Sequence, residues 1–114
     1  MTDQELEYKI LKLVEKKPDQ TQRELAIALG ISLGKTHYLV KSLIDVGFIK
    51  LGNFKKSNNK WGYLYLLTPK GIIEKSKITS RFLIKKQKEY YKLQKEISDL
   101  KKEVRHQDVN NKDK

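Results

Sequence analysis

The segment Thr21–Lys50, TQRELAIALGISLGKTHYLVKSLIDVGFIK, constrains the fold of this chain more than any other. Thr21 and Glu24 form a Thr-x-x-Glu capping box, which marks the start of a helix. Apolar residues then recur at helical spacing, at Leu25, Ala28 and Leu29. Gly30 follows directly, and glycine ends a helix in the left-handed conformation without a steric penalty. The segment therefore begins with a short helix that ends in a tight turn.

A second helix is predicted to follow this turn. Ser32 can accept hydrogen bonds from the first free N–H groups of a helix, and Gly47 marks the end. The positions expected to face inward are Thr36, Leu39, Val40, Leu43 and Val46. Ala26 lies four residues before Gly30, where a small side chain allows the two helices to approach closely. Such a pair is typical of a helix-turn-helix, whose second helix can enter the DNA major groove, although similar pairs occur in helical proteins that never bind DNA.

The flanking sequence predicts a third helix and a β-hairpin. In Thr2–Lys17, Thr2 and Glu5 form another capping box and apolar residues line one face. Pro18 follows, and the residue before a proline disfavours helix. Downstream, the β-prone runs 48–51 and 63–67 enclose a polar, turn-rich stretch, 52–62. Three helices followed by a hairpin predict a winged helix-turn-helix domain over residues 1–68.

The hairpin is expected to carry a basic tip. Its lysines are Lys55, Lys56 and Lys60. Phe54 and Trp61 flank the tip and are expected to pair across the strands.

A long helix is predicted after the hairpin. Thr68 suits the N-cap and Pro69 the first helical position, where a missing N–H costs nothing. No later proline occurs, so the helix is expected to span 69–104 and to be followed by a polar, frayed tail, 105–114. Apolar residues along it predict a dimerisation seam of the coiled-coil type, formed by Phe82, Leu83, Tyr90, Leu93, Ile97, Leu100 and Val104. A plain surface helix is the alternative interpretation of this pattern.

The positive charge of the chain is concentrated in one segment. The net charge is +11. Residues 1–47 hold seven basic and seven acidic side chains, whereas residues 48–88 hold eleven basic residues and one acidic residue, Glu74. A bias towards lysine codons across an AT-rich genome would distribute positive charge evenly along the chain. The local excess instead favours a surface that binds a polyanion.

Other classes of function lack supporting residues. The chain has no cysteine and only two histidines, His37 and His106, without partners at metal-ligand spacing, so neither a metal nor a cofactor is predicted. No phosphate loop, paired carboxylates or nucleophile with a base is present, so no enzyme is expected. No run reaches the ~18 apolar residues of a membrane span. The acidic, polar start is unlike a signal peptide, and a cytoplasmic location is expected.

By the Leu67–Gly71 motif that follows the hairpin, the chain resembles the MarR-like winged-helix transcriptional regulators. The resemblance covers residues 5–75, including ELAIALGIS, KSLIDVGFIK and LTPKG. The wing FKKSNNKWGYLYLLTPKG and the lysine-rich helix look more narrowly like the small subgroup associated with exopolysaccharide gene clusters. The resemblance implies a dimeric, sequence-specific DNA-binding repressor or activator. It leaves an effector ligand undetermined.

Candidate DNA-binding residues come from the second helix of the central segment and from the wing. That helix spans residues 32–46. The face opposite its apolar side carries Lys35, His37, Tyr38, Lys41 and Ser42, and these residue types are able to reach bases or phosphates. The resemblance adds Gly34 to the base-reading positions and assigns Ser32 and the wing to the DNA backbone. The alternative function is a winged-helix adaptor that docks a partner protein through its C-terminal coiled coil.

Overall fold

The computed structural model describes the backbone of residues 1–57 and 60–112, and the side chains of residues 1–53 and 63–109. The elements in chain order are α1 (Asp3–Lys16), α2 (Gln22–Leu29), α3 (Leu33–Asp45), β1 (Ile49–Ser57), β2 (Lys60–Leu67) and α4 (Pro69–Lys112). The chain divides into two units, Met1–Ile78 and Thr79–Lys114. Three helices, an antiparallel hairpin and a long C-terminal helix confirm the predicted fold class, a winged helix-turn-helix.

The predicted helix ends are found where local sequence places them. The Thr2 hydroxyl accepts from the Glu5 N–H at 3.2 Å, and the Glu5 carboxylate accepts from the Thr2 N–H at 3.2 Å. Gly30 ends α2 with φ of 68°, which is the left-handed conformation that glycine tolerates best. The Ser32 hydroxyl then caps α3 by accepting from the Lys35 N–H at 3.0 Å.

The core of the first unit lies between the three helices and the base of the hairpin. Its most deeply buried side chains are Ile10, Leu11, Val14, Leu25, Thr36, Leu39, Val40, Leu43 and Ile49. Two expected inward positions are wrong. Ala28 is exposed, because the buried face of α2 is centred between Leu25, Ala26 and Leu29. Val46 is 45 % exposed, because α3 has already ended at Asp45.

The hairpin strands are longer than predicted. β1 continues to Ser57 and β2 begins at Lys60, since ladder pairing uses backbone groups and tolerates the polar side chains of this stretch. The register places Phe54 opposite Gly62 and Trp61 opposite Lys55. Phe54 and Trp61 are therefore not partners in the backbone ladder, and the predicted contact between their side chains lies outside the described residues.

Helix α4 begins as predicted but ends later. The Thr68 hydroxyl accepts from the Gly71 N–H at 3.0 Å and itself donates to the Gly47 carbonyl. The helix continues through Lys112 rather than stopping near Val104. This later end is possible because residues 105–112 contain no proline or glycine that would end a helix. None of the described helices is both long and apolar enough to cross a membrane.

Candidate nucleic-acid interface

Helix α3 presents a polar surface opposite its buried face. Thr36, Leu39, Val40 and Leu43 anchor it in the core. The predicted contact residues lie on its other sides: Ser32, Gly34, His37, Tyr38 and Lys41 are exposed, and Lys35 and Ser42 are half-buried. The structure thus brings together on α3 and its N-cap all seven candidate residues that the sequence places there.

The start of α3 is open to an approaching ligand. Because the Ser32 oxygen accepts from the backbone, its O–H remains able to donate, for example to a phosphate oxygen. A Cβ built on Gly34 would meet no atom within 4 Å. Gly34 is therefore not required by tight packing inside the protein. Its missing side chain leaves free space on the outer surface of α3.

Lys35 is held by the first helix. Its Nζ lies 2.7 Å from the Asp3 Oδ1 and 5.4 Å from the centroid of the Tyr38 ring. Burial raises the pKa of the nearby Glu7 carboxyl, Asp3 raises this pKa further, and Lys35 lowers it. The acidic start of α1 therefore supplies Lys35 with a local counter-charge, and a phosphate or base contact by Lys35 has to replace it.

Sequence reasoning did not identify Asp3 and Glu7 as neighbours of the recognition surface. The acidic N-terminal turn of α1 was visible in the sequence, but its proximity to Lys35 arises from helix packing. Lys41 differs from Lys35, because among the described side chains no ion pair involves it. The two lysines share one helix but differ in electrostatic environment.

Gln22 was also missed, and it links α3 to the hairpin. Its Nε2 donates to the Tyr65 hydroxyl at 3.2 Å, and its Oε1 lies 3.2 Å from Nδ1 of His37. Tyr65 is only 8 % exposed. The position of Gln22 directly after the Thr21 cap was the only available sequence signal.

The candidate lysines of the wing are described by their backbone alone. Lys55 and Lys56 belong to β1 and Lys60 to β2, and the register shifts between Lys55 and Ser57. The side chains of these three lysines, and therefore their predicted phosphate contacts, lie outside the described residues.

The candidate dimerisation residues lie on α4. Leu83, Tyr90, Leu93, Ile97, Leu100 and Val104 are each between 45 and 59 % exposed, and Phe82 is half-buried. Ile97, Leu100 and Val104 border a shallow groove together with Lys101 and Arg105. Within the described part of the chain, no group of three or more His, Cys, Asp or Glu residues is placed to hold a metal ion.

Comparison with known proteins supports the same fold. Residues 3–50 match the family of winged helix-turn-helix DNA-binding domains. No curated protein sequence matches the chain significantly.

Three solved structures share the architecture. A MarR/EmrR family transcriptional regulator from Acinetobacter sp. ADP1 has 22% identity and a TM-score of 0.56, over 73% of this chain and 56% of that one. A mutant of ZitR from Lactococcus lactis has 22% identity and a TM-score of 0.61, over 93% and 70%. FabT from Streptococcus pneumoniae, solved in complex with DNA, has 19% identity and a TM-score of 0.53, over 86% and 73%.

The chain covers only part of the length of these proteins. The chain spans little more than half of the Acinetobacter regulator and 55% of a MarR regulator from Methanosarcina mazei Go1. At identities below 25%, the common property is the fold. The chain has the winged helix-turn-helix fold, and its residues 3–50 match the winged helix-turn-helix DNA-binding family.

Proposed function

We propose that this protein is a sequence-specific transcriptional regulator that binds double-stranded DNA. The observation that carries the proposal is the exposed polar face of α3, on a helix anchored in a winged helix-turn-helix core. Residues 32–46 enter the major groove, and the wing, residues 52–62, contacts the backbone or minor groove. FabT, which shares the fold, was solved in complex with DNA.

The two sets of residues have different roles in this proposal. Base edges are read by residues of the exposed face, namely Gly34, Lys35, His37, Tyr38, Lys41 and Ser42. Phosphates are contacted by Ser32, Lys55, Lys56 and Lys60. Lys35 exchanges Asp3 for its DNA contact on binding, so its net contribution is smaller than that of Lys41, which has no such partner among the described side chains.

The charge distribution supports DNA as the partner. Residues 48–88 carry a net charge of +10, and this segment includes the wing. Each phosphate neutralised by a lysine releases counterions, so binding weakens with salt in proportion to the number of neutralised phosphates. The resemblance to MarR-like regulators, including the exopolysaccharide-associated subgroup, adds the expectation of a cytoplasmic repressor or activator.

A homodimer formed through α4 completes the proposal. The exposed apolar residues Tyr90, Leu93, Ile97, Leu100 and Val104 recur every three or four residues, as the a and d positions of a coiled coil do. In a parallel dimer Glu96 faces Lys101 of the partner chain. Two copies of α3 would then read half-sites about 34 Å apart, which favours a palindromic operator.

The competing function is an adaptor that uses α4 to dock another coiled-coil protein. The same exposed apolar residues favour it, so the dimer surface does not separate the two functions. Binding to duplex DNA does, because an adaptor has no reason to bind DNA at moderate salt.

The experiment is a salt titration of binding to duplex DNA. The wing variant carries Lys55→Ala, Lys56→Ala and Lys60→Ala. The matched control removes three charges at exposed positions of α4 that lie away from the seam and outside the basic segment 48–88, with Lys92→Ala, Lys95→Ala and Lys102→Ala. We expect the wing variant alone to flatten the slope of log K against log salt, by about 0.9 for each phosphate that a lysine no longer neutralises.

Two results would count against this proposal. Equal slopes of log K against log salt in the wing variant and the wild type would show that the wing lysines do not contact DNA phosphates. Absence of salt-sensitive duplex binding by the wild type would favour the adaptor.

A further inference from the structure

A chain of hydrogen bonds runs from the hairpin to the exposed face of α3. The Tyr65 backbone N–H donates to the Pro18 carbonyl at 2.9 Å, and the Tyr65 side chain is almost fully buried. The Tyr65 hydroxyl accepts from Nε2 of Gln22 at 3.2 Å. At the other end of the same amide, the Gln22 Oε1 lies 3.2 Å from Nδ1 of His37. In this structure the Gln22 amide is oriented with its nitrogen towards Tyr65 and its oxygen towards His37.

This orientation determines which nitrogen of His37 carries the proton. An amide oxygen is an acceptor only, so Nδ1 of His37 must donate to it. A neutral imidazole has one N–H, and a proton on Nδ1 leaves Nε2 with a lone pair. His37 is exposed, and among the described residues none is hydrogen bonded to Nε2. The outer nitrogen of His37 is thus presented as an acceptor.

We propose that Gln22, in the amide orientation that the structure shows, is a positioning residue that makes the outer nitrogen of His37 accept from hydrogen-bond donors on base edges. In the major groove these donors are the amino groups at N4 of cytosine and N6 of adenine, whereas guanine and thymine present acceptors where His37 would need a donor. The inference rests on the proposed function, since it requires α3 to lie in the major groove.

The first experiment tests the tautomer without DNA. The ¹⁵N chemical shifts of the imidazole nitrogens are measured on the full-length protein at alkaline pH, where imidazole is neutral. A His106→Asn variant assigns the His37 signals, and His106 in the wild type serves as the exposed reference. We expect His37 to be protonated at Nδ1.

Two variants test the control of the tautomer. Gln22→Leu removes both hydrogen bonds, and Tyr65→Phe retains the aromatic ring but removes the hydroxyl that accepts from the Gln22 amide. Both should shift the His37 signals towards those of His106. Gln4→Leu, the same substitution at an exposed position of α1, should leave them unchanged. A wild-type His37 protonated mainly at Nε2 would overturn the inference even if DNA is bound.

The second experiment measures base preference. Duplexes selected from a random pool by the wild type are compared with those selected by Gln22→Leu, Tyr65→Phe and Gln4→Leu. We expect a preference for adenine or cytosine at one position of each half-site to fall roughly tenfold in the first two variants. Preferences at the other positions should persist.

The outcomes separate the two proposals. Selected duplexes with unchanged preferences in both variants would overturn the role of Gln22 while leaving the DNA-binding function intact. No selective duplex binding by the wild type would overturn the proposed function and base reading with it, whatever the imidazole signals show.

Discussion

The two units of the chain differ in how far their large apolar side chains are exposed to solvent. In Met1–Ile78, side chains such as Ile10, Leu39 and Ile49 are at most 1 % exposed. In Thr79–Lys114, the large aliphatic residues and tyrosines whose side chains are described are all at least 45 % exposed. A helix with repeated exposed apolar residues marks an interaction surface. The first unit is therefore explained by its own core, whereas the exposed apolar residues of the second are the surface on which we propose that a second copy packs.

Matched leucine truncations should give the largest difference between the units. Leu39→Ala removes a fully buried side chain from the first unit and should lower its free energy of unfolding by about 2–5 kcal/mol. Leu100→Ala, at a 59 % exposed position, should change it by less than about 0.5 kcal/mol. Urea unfolding followed by the fluorescence of Trp61, the single tryptophan, measures both. Equal losses would contradict the comparison.

A charge placed on the exposed apolar surface should prevent self-association. Ile97→Asp should weaken the dimer by about 3 kcal/mol, because both copies lose a buried side chain, which corresponds to roughly a 100-fold rise in the dissociation constant. Lys95→Asp introduces the same side chain away from the seam and should have little effect. Sedimentation of the full chain and of a version ending at Lys88 measures association. A wild type that stays monomeric at tens of micromolar would refute the dimer.

The direction of the two helices in the dimer can be measured separately. The chain has no cysteine, so Val104→Cys introduces a single site for a spin label. A short distance between the two labels is expected for the parallel arrangement, in which Glu96 faces Lys101 of the other chain. A long distance would overturn the parallel arrangement but not the dimer.

Two glycine-to-alanine substitutions should have opposite effects on the first unit. A Cβ on Gly71 would lie 2.0 Å from the backbone oxygen of Phe48, so Gly71→Ala should cost about 1–3 kcal/mol. Gly34→Ala adds a methyl group in open space on α3 and should stabilise the unit by about 0.5–1 kcal/mol. Thermal unfolding should show shifts of opposite sign. A stable Gly71→Ala variant would mean that the start of α4 need not approach Phe48 closely.

Glu7→Gln should produce the smallest effect. Burial and Asp3 raise the pKa of Glu7 in the folded state, so folding favours the protonated carboxyl. Its contribution to stability is present below the unfolded pKa, about 4.3, and is lost as pH rises through the higher folded value. Glu7→Gln should therefore be more stable than the wild type at neutral pH, by about 0.5 kcal/mol or less.

The pH dependence provides the control for this substitution. The advantage of Glu7→Gln should shrink as the wild-type carboxyl is protonated at acidic pH. Asp19→Asn, at an exposed position after α1, should show no comparable gain at neutral pH. A destabilised Glu7→Gln at neutral pH would show that the attraction between Glu7 and Lys35 outweighs the burial of the carboxylate.

The predictions that agreed best with the structure were those of helix caps and turns, which depend on residues close together in the sequence. The caps at Thr2, Ser32 and Thr68 and the turn at Gly30 were all predicted correctly. Each depends on residues within a few positions of one another, so the necessary information is local. The strand ends were predicted less well, because ladder pairing extended through a polar stretch that side-chain pattern alone assigned to a loop.

The sequence by itself determined the order of helices and hairpin, the polar face of α3 and the apolar repeat of α4. Only the tertiary structure placed Asp3 beside Lys35, Gln22 between His37 and Tyr65, and Gly71 beneath Phe48. Helical and strand periodicity specify which face of an element is apolar, but not which residues of distant elements meet there. These contacts follow from how the elements pack, and in this protein they set the electrostatic environment of Lys35 and give His37 its neighbour Gln22.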